Sequence, residues 1–345
     1  METRGRYTRE EIYSQPESWK DAYEVIITNK KAIQDTLLFH DQQQVLFTGC
    51  GSTYHLACTA AAIFQEMTGL EAKGIPASEL WLSPKSSYIS KGHILLIAIS
   101  RSGETTETLQ ACKAFTANNR GSLITFACYP QSTLTQLGSL NLVFPSGMEK
   151  SIAQTRAFTT LLLGVVGLCA IGSNQLEILD KMTAISTVGR NLLIKFYSTA
   201  ETNGKNLGID QIYFLGSGPR YGLACELALK MKEMSLTHSE AFHFLEFRHG
   251  PKAIVNRKTL MVGLVSEHNF GHEFKVLEEI KELGAQVLTI GEKGTDISFN
   301  SGLEEVIRNI LYLPIGQMMA YERSIAKGLD PDHPNNLDSV VKLSE

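Results

Sequence analysis

The sequence predicts an α/β fold made of two consecutive domains, each with a parallel sheet flanked by helices. Two observations lead to this prediction. Short apolar runs alternate with stretches of helical character along the 345 residues, and strands joined through helices run parallel because each connection has to cross over the sheet. The second half of the chain also repeats the first half.

The repeat is clearest around two glycine turns. VLFTGCGSTYHLACTAAAIF at 45–64 aligns with IYFLGSGPRYGLACELALKM at 212–231 at an offset of 167 residues, so that both Gly-x-Gly turns and both Leu-Ala-Cys triplets coincide. Further apolar runs follow at 94–99, 122–127 and 141–147 in the first half and at 261–265, 286–291 and 311–316 in the second. Each half is therefore predicted to form a strand, a glycine turn, a helix and three more strands separated by helices.

The two domains are expected to join near residue 198. The segment STAETNGKNLG at 198–208 is polar, contains glycine and shows neither helical nor strand periodicity, which is typical of a linker. We therefore expect a first domain over 1–198, with an N-terminal helical segment, and a second domain over 199–345. The apolar stretch at 161–172 is shorter than the about 20 residues that span a bilayer, so we interpret it as a buried helix.

Composition excludes several classes of protein. With 36 acidic and 32 basic residues the net charge is −4, so no global field attracts nucleic acid or an anionic membrane. The six cysteines form no Cys-x-x-Cys pair and the N-terminus has no apolar core, which favours buried thiols in a cytoplasmic protein without a signal peptide. Any anion that this protein binds must be held by local geometry.

The segment ISRSGETTET at 99–108 is a candidate phosphate cradle. It follows an apolar strand and opens a helix, at the edge of a parallel sheet where ligands bind and where helix N–H groups are unpaired. Ser100, Ser102 and Thr105 supply hydroxyls, Arg101 a positive charge, and Gly103 close approach of the backbone. Simple N-capping of the helix would explain one serine, but not so many hydroxyl and guanidinium groups within six consecutive residues. The matching turn VSEHNF at 265–270 has a carboxylate and no glycine, so we expect no cradle in the second half.

The two Gly-x-Gly turns do not predict a nucleotide cofactor. Tyr54 and Tyr221 stand where the dinucleotide fingerprint requires its third glycine. Ser52 and Thr53 then either donate to a sugar hydroxyl or phosphate at the same edge, or only shape the turn. Both interpretations remain open from the sequence.

Three charged residues of the second repeat are candidates for acid/base chemistry. Glu226, Lys230 and Glu233 are spaced i, i+4 and i+7 and share one helix face, whereas their first-half counterparts are Thr59, Ile63 and Glu66. A solvated row of ion pairs is the alternative. Charge at a position that is isoleucine in the sister helix favours a functional role.

His249 is a second acid/base candidate. It lies in HSEAFHFLEFRHGPKAIV at 238–255, where the Arg-His-Gly-Pro turn should hold it in place, although a single histidine is more often structural. The histidines and carboxylates lack the close helical spacing of known metal sites, so we expect no metal.

These segments resemble the sugar isomerase (SIS) domain family in its two-domain form. The matching pieces span nearly the whole chain: YTREEIYSQPESW, FTGCGSTYH, ISRSGETTET, AQTRAFTTLLL, FLGSGPRYGLACELALKMKEMSLTHSEAF, FRHGPKAIV and GLDPDHPNNLDSVV. The sequence is similar to the isomerase half of glucosamine-fructose-6-phosphate aminotransferase, and more so to the tagatose-6-phosphate ketose/aldose isomerase and galactosamine-6-phosphate deaminase group. The resemblance implies two three-layer αβα domains of the flavodoxin-like type.

The resemblance also implies roles for individual residues. A phosphate would be held by Ser100, Arg101, Ser102, Gly103 and Thr105, and the sugar would be contacted by Cys50, Gly51, Ser52 and Thr53. Glu233 would be the proton-transfer base, supported by Glu226 and Lys230, and His249 would open the sugar ring from the partner subunit of a homodimer.

Two departures from the aminotransferase pattern bear on the reaction. The tail reads Pro-Asn-Asn-Leu-Asp-Ser at 334–339, so Ser339 stands where those relatives have a lysine that forms a Schiff base, and Lys342 is out of position to replace it. The chain also starts within the isomerase region, so we expect no glutaminase activity.

The expected activity is isomerisation or deaminating isomerisation of a hexose or amino-hexose 6-phosphate, without a cofactor, by proton transfer between C1 and C2. A deglycase of phosphorylated sugar-amine adducts would use the same residues. The aromatic segment AFHFLEF at 241–247 is compatible with the larger substituent of such a substrate, but it could equally belong to the core or to a dimer interface. A sugar-phosphate sensor without turnover is the alternative from another class; Glu233 and His249 favour an enzyme.

Overall fold

The computed structural model describes residues 4–37, 42–89 and 92–343. Its helices are α1 (Arg6–Tyr13), α2 (Gln15–Thr28), α3 (Lys30–Thr36), α4 (Ser52–Thr68), α5 (Ala77–Leu82), α6 (Pro84–Ser87), α7 (Thr106–Ala117), α8 (Arg156–Gly172), α9 (Leu176–Met182), α10 (Ile185–Lys205), α11 (Pro219–Ser235), α12 (Phe270–Glu282), α13 (Glu305–Arg308) and α14 (Leu313–Ala326). Its strands are β1 (Gln42–Gly49), β2 (Ala72–Pro76), β3 (His93–Ser100), β4 (Gly121–Ala127), β5 (Leu140–Val143), β6 (Gln211–Leu215), β7 (His238–Phe242), β8 (Thr259–Leu264), β9 (Gln286–Gly291) and β10 (Ile297–Ser298).

The strands form two parallel five-stranded sheets of identical topology. The first has the order β2-β1-β3-β4-β5 and the second the order β7-β6-β8-β9-β10. This 2-1-3-4-5 order is that of flavodoxin-like folds. The predicted α/β fold with two repeated, helix-flanked parallel sheets is confirmed.

The chain divides into two compact units, one around each sheet. The first-sheet unit comprises 17–149, 156–184 and 338–345, and the second-sheet unit comprises 1–16, 150–155 and 185–337. Helices α1 and α10 thus belong with the second sheet, and the last residues of the chain with the first. The expected boundary at 198/199 stays a prediction about where the two repeated segments join.

In the first-sheet unit both faces of the sheet are buried. Strand β3 is buried from Ile94 to Ser100, as expected for a central strand of a parallel sheet. Alternate side chains of β3 pack with α5 and α7, while helix α8, from 156 to 172, covers the aromatic rings of the other face. Helix α8 contains the apolar stretch at 161–172, which is a buried helix as predicted.

In the second-sheet unit, the apolar core on one face of the sheet includes α12 and the segment after β7. The loop at 328–333 ties the N-terminus of α1 to the end of the same unit, because Asp332 accepts hydrogen bonds from the backbone N–H groups of Tyr7 and Thr8, at 3.1 and 2.7 Å. A carboxylate at a helix N-terminus satisfies donors that the helix leaves unpaired.

The predicted linker at 198–208 is wrong for most of its length, because α10 continues to Lys205. The buried face of this helix is Leu192, Phe196, Ala200 and Gly204, spaced four residues apart. A Cβ atom at Gly204 would lie 2.6 Å from the carbonyl oxygen of Met319 on α14. The helical period of α10 thus continues through small residues that allow close contact with α14. Because these residues are not strongly hydrophobic, the hydrophobic pattern of the sequence does not reveal this part of the helix.

The predicted strand at 311–316 is also wrong. This segment ends a 3-10 turn and begins α14, with Pro314 in the first helical turn. A short, fully buried apolar run does not distinguish helix from strand by its periodicity. The fifth strand of the second sheet is instead β10, which has only two residues.

Candidate functional site

The centre of the first sheet brings two candidate segments together. Strands β1 and β3 are neighbours whose connections leave to opposite sides, so their carboxyl ends form the crevice in which open α/β sheets bind ligands. The turn at 50–53 follows β1 and the loop at 100–105 follows β3. A contact of 3.4 Å between Cys50 Sγ and Thr108 Oγ1 joins the two sides.

The turn after β1 depends on both of its glycines. Gly51 has φ 55° and ψ −123°, a region open to glycine, and a Cβ atom at Gly49 would lie 2.6 Å from Thr53 Oγ1. The Thr53 hydroxyl contacts both the N–H and the carbonyl of Cys50 at 2.9 Å. For Thr53 this favours the turn-shaping interpretation, while Ser52 is buried at the first position of α4.

The environment of Cys50 favours the protonated form of its thiol. Burial raises its pKa, and the hydrogen bond with Thr108 lowers it. A neutral thiol contacts ligands as a small apolar group with a weak donor. Cys50 is therefore suited to bind a sugar, as the resemblance implies, and not to act as a nucleophile.

The second repeat reproduces the glycine turn in its backbone. Gly218 has φ 57° and ψ −135°, and a Cβ atom at Gly216 would lie 2.3 Å from the carbonyl oxygen of Arg220. The paired glycines therefore have the same steric cause in both halves.

The loop after β3 is organised by its own hydroxyl groups. Ser100 Oγ accepts a hydrogen bond from the Gly103 N–H at 3.1 Å and lies 3.4 Å from Thr105 Oγ1, and Ser102 Oγ accepts from the Glu104 N–H at 3.1 Å. Ser102 accepts this bond and keeps its hydroxyl proton to donate, and in the contact between Ser100 and Thr105 one of the two hydroxyls keeps its proton as well. Helix α7 starts directly afterwards, so its N-terminal N–H groups face the same loop.

Arg101 differs from the other cradle residues because its charge is already balanced. Its guanidinium donates to the fully buried Glu149 at 3.1 Å and to the carbonyl oxygen of Ser339 at 3.2 Å. Glu149 also accepts from the N–H of Ala157 in the first turn of α8. Arg101 thus ties three segments together, and its partner Glu149 was not anticipated from the sequence because nothing in its local pattern marks it.

The C-terminal tail lies beside the cradle within the first-sheet unit. Besides the contact of Ser339, the carbonyl of Val341 is 3.5 Å from the N–H of Thr106, and the N–H of Leu343 donates to Thr106 Oγ1 at 3.2 Å. Lys342 is exposed. The sequence marked this tail for its family resemblance and for its missing lysine, but its contacts with the cradle involve backbone groups of the tail, which no side-chain pattern predicts.

The three charged residues of α11 form a buried group in the second-sheet unit. Glu226 and Lys230 are both 0% exposed, whereas the Glu233 side chain is 18% exposed. Lys230 Nζ lies 3.4 Å from Glu226 and forms a shorter hydrogen bond with Glu233. A solvated row of ion pairs is therefore not what these residues form, and Glu233 is the member that a ligand can reach.

His249 lies on an exposed loop of the same unit. It follows a 3-10 turn, with its N–H bonded to the carbonyl of Glu246 at 2.9 Å, and precedes Gly250, whose φ is 121°. The buried Phe247 and an ion pair of 2.9 Å between Arg248 and Glu279 hold the loop against the rest of the unit. In the described part of the chain, no hydrogen bond or ion pair joins the His249 side chain to Glu233.

The segment before His249 contributes mainly to the core. Phe244 and Phe247 belong to the apolar core of the second-sheet unit and Phe242 packs against it. His243 is exposed and stacks on Tyr221 at 3.9 Å between ring centroids. The phenylalanines of AFHFLEF are therefore core residues, as one of the three sequence interpretations had it.

Groups of three or more metal-ligating side chains are absent among the described residues, and none of the helices described is long and apolar enough to cross a membrane.

Fold and residues together define the class of protein: an α/β protein with two repeated parallel-sheet domains, a hydroxyl-rich loop at the ligand edge of the first and a buried acid-base group in the second. The SIS domain model matches residues 38–167 and 208–306, and the chain belongs to the SIS domain family.

Relatives of known activity are similar along nearly the whole chain. The glutamine-fructose-6-phosphate aminotransferase (isomerizing) of Pyrobaculum aerophilum is 31% identical over 364 residues, which cover 99% of this chain and 59% of that protein. For the same enzyme of Methanothermobacter thermautotrophicus the identity is 27%, over 90% of this chain and 55% of the relative. The chain thus spans less than two thirds of the length of these relatives.

Two solved structures have the same fold. Glucosamine-6-phosphate deaminase from Thermotoga maritima superimposes with a TM-score of 0.82 at 29% identity, covering 98% of this chain and 100% of that one. Tagatose-6-phosphate ketose/aldose isomerase from Escherichia coli has a TM-score of 0.84 at 22% identity, with 96% and 98% covered. These neighbours are a sugar-phosphate deaminase and a sugar-phosphate isomerase.

Proposed function

We propose that this protein is an isomerase or deaminating isomerase of a hexose or amino-hexose 6-phosphate. The observation that carries the proposal is the α11 group, in which the buried Lys230 lies between the buried Glu226 and the accessible Glu233. A carboxylate held in one position by a buried cation is suited to accept and return a proton. The similarity to a glucosamine-6-phosphate deaminase supports the substrate class.

In the proposed reaction Glu233 takes the proton from C2 of the open-chain aldose and returns it to C1. The carbonyl oxygen at C1 takes up a proton meanwhile, which gives an enediol. The C2 hydroxyl then releases its proton as C1 is protonated, so that the ketose forms with no net change in protons. With an amino group at C2 the intermediate is an enolamine, and the imine that follows adds water and releases ammonia to leave the ketose phosphate. Lys230 and Glu226 orient Glu233 throughout.

Binding and ring opening are assigned to the other candidate residues. The phosphate is bound by the hydroxyls of Ser100, Ser102 and Thr105 and by N–H groups at the start of α7, and Gly103 lets the backbone approach it closely. We assign Arg101 an indirect part, since it shapes the cradle through Glu149. Binding energy from the phosphate positions the reacting carbons.

His249 opens the sugar ring by proton transfer, and in this proposal it reaches the site from the partner subunit of a homodimer. Its place on an exposed loop supports that role, because an exposed side chain is free to enter a neighbouring subunit's site.

The test is a substrate panel with two readouts. The protein is incubated with glucosamine, galactosamine, fructose and tagatose 6-phosphates and with a fructosamine 6-phosphate, while ketose or aldose formation and ammonia or amine release are measured. Ketose formation with ammonia identifies a deaminase, and interconversion without ammonia an isomerase. Amine release from the fructosamine adduct alone would identify a deglycase, and binding without conversion a sensor; either result contradicts the proposal.

A further inference from the structure

Glu107 is a charged residue at the ligand edge to which the proposed reaction gives no role. It lies in the first turn of α7, two residues after Thr105. Its Oε2 atom is inaccessible to solvent and has no hydrogen-bond partner in the part of the chain that the structure describes. An ionised carboxylate can only accept hydrogen bonds, so this oxygen is suited to a donor supplied by a ligand.

The neighbourhood of Glu107 is the meeting point of the two ligand-facing segments. The next residue, Thr108, contacts the Cys50 thiol at 3.4 Å. The charge of Glu107 acts on that thiol, whose pKa is raised first by burial and further by this carboxylate. Glu107 is therefore close to the turn that is expected to contact the sugar, as well as to the loop that is expected to hold its phosphate.

The charges around the cradle make Glu107 unusual for a phosphate site. The one guanidinium of the loop, Arg101, is balanced by Glu149. Glu104 is engaged by the N–H and hydroxyl of Thr133, at 2.6 and 2.9 Å. Among the described residues Glu107 has no ion pair or hydrogen bond, so its negative charge opposes a bare phosphate dianion. A ligand that also brings donors for the carboxylate overcomes this repulsion.

We propose that Glu107 is a specificity-determining residue, which accepts a hydrogen bond from a hydroxyl or amino group of the bound sugar phosphate and discriminates against inorganic phosphate. Specific sites commonly combine an attraction for the right ligand with a repulsion of the wrong one. The inference rests on the proposed function, because it assumes that the ligand is a phosphorylated sugar.

The second repeat provides an internal comparison. Its loop makes the same bond from a backbone N–H to a serine, from Asn269 to Ser266 Oγ at 3.0 Å. Four residues after Asn269 stands Glu273, just as Glu107 stands four residues after Gly103. Glu273 is 2% exposed and accepts from the N–H of Ser266 at 2.7 Å. One oxygen of the equivalent carboxylate is thus bound to its own loop where there is no cradle, while its other oxygen, Oε1, is buried without a hydrogen-bond partner among the described residues.

The experiment compares Glu107→Gln with the matched control Glu273→Gln. Titration calorimetry measures binding of glucosamine 6-phosphate, fructose 6-phosphate and inorganic phosphate, in a Glu233→Gln background so that the sugars are not converted. We expect Glu107→Gln to weaken sugar-phosphate binding by about 10-fold, as for loss of a charge-assisted hydrogen bond. It should bind inorganic phosphate at least as tightly as its parent does. Glu273→Gln should change each affinity by less than about two-fold.

Two outcomes would overturn the inference alone. If Glu107→Gln binds the sugar phosphates as its parent does, the carboxylate makes no contact with the sugar. If the substitution weakens the binding of sugar phosphates and of inorganic phosphate by the same factor, the carboxylate only supports the helix. The titration with inorganic phosphate therefore also tests whether the cradle is intact. A parent protein that binds no sugar phosphate would instead contradict the proposed function, and the inference with it.

Discussion

At the scale of single residues, Lys230 has a tightly constrained environment. Its ammonium group is fully buried, and burial of a charge is tolerated only with close counter-charges, which Glu226 and Glu233 provide. Its first-repeat counterpart, Ile63, is buried without any such requirement. The second repeat therefore has a charged group at a position where an apolar side chain fits the fold, which favours a selected function over a structural one.

The role of Glu233 is tested by Glu233→Gln, which keeps the size of the side chain and removes the base. We expect turnover to fall by about 10² to 10⁴ while the affinity for the sugar phosphate changes little, since general base catalysis contributes about that factor. Steady-state kinetics and calorimetry measure the two quantities. The matched control is Glu66→Gln, an exposed carboxylate at the equivalent position of the first-repeat helix, which should leave both unchanged. Turnover within a few-fold of wild type would exclude Glu233 as the base.

Glu273 should make stability depend on pH. Burial raises the pKa of this carboxyl, while the N–H of Ser266 and the charge of Arg220 lower it less. Because the pKa is raised, the neutral form stabilises the folded state at low pH and this contribution is lost as pH rises through the folded pKa. Gln does not titrate, so the melting temperature of Glu273→Gln should rise relative to that of wild type as the pH is raised above the ordinary pKa of a glutamate, about 4.3.

The control for this experiment is Glu282→Gln, an exposed carboxyl on the same helix, whose melting temperature should track wild type at every pH. A difference between Glu273→Gln and wild type that stays constant across the range would show that Glu273 does not change its ionisation there.

Among the elements, the loop from β3 to α7 depends on a glycine for both its backbone conformation and its packing. Gly103 has φ 66°, and a Cβ atom there would lie 2.1 Å from Ser132 Oγ. Gly69, at the end of α4, has a similar φ of 74° with nothing within 4 Å of an added Cβ atom. A side chain would strain the backbone at both positions, but only at Gly103 would it also clash with a neighbouring atom.

We expect Gly69→Ala to lower the free energy of unfolding by about 1 kcal/mol and Gly103→Ala by about 2 to 4 kcal/mol, because only the second adds a clash to the strain. Chemical denaturation measures both. Gly103→Ala should also weaken phosphate binding, since the loop has to shift. Equal losses at the two positions would mean that Ser132 moves aside without cost.

In the whole molecule, the two repeats keep one architecture and differ at the ligand edge. The first has a hydroxyl-rich loop, whereas the second has a carboxylate bound to the N–H of Ser266 and the charged group on α11. A duplicated fold of this kind can assign binding to one copy and proton transfer to the other, since each copy retains its own core.

The proposed shared site predicts complementation between inactive subunits. If His249 acts in the partner's site, mixed dimers of Glu233→Gln and His249→Ala contain one intact site, and random assortment should restore about a quarter of wild-type activity. Co-expression followed by kinetics and sedimentation analysis measures this. Replacing the His249→Ala partner by the double variant should restore nothing. Dimers without recovered activity would mean that His249 serves its own chain.

The sequence by itself determined the parts of this protein that local patterns encode. The central strands are continuous apolar runs, the glycine turns recur at a constant offset, and ISRSGETTET places hydroxyls where a strand ends and a helix begins. The parallel arrangement of the central strands in both sheets, and the family, followed from these. A buried strand requires consecutive apolar residues and a tight turn requires glycine at fixed positions, so both can be recognised from short stretches of sequence.

Only the tertiary structure decided the features that depend on distant residues. The edge strands β2 and β7 contain no apolar run, and the end of α10 packs through the small residues Ala200 and Gly204. The hydrophobic pattern of the sequence therefore predicts neither these strands nor the end of this helix. The pairing of Arg101 with Glu149, the backbone contacts of the tail and the burial of Lys230 likewise depend on which segments meet in space. Side-chain type sets what a residue can do, but its partners and its exposure to solvent are set by packing.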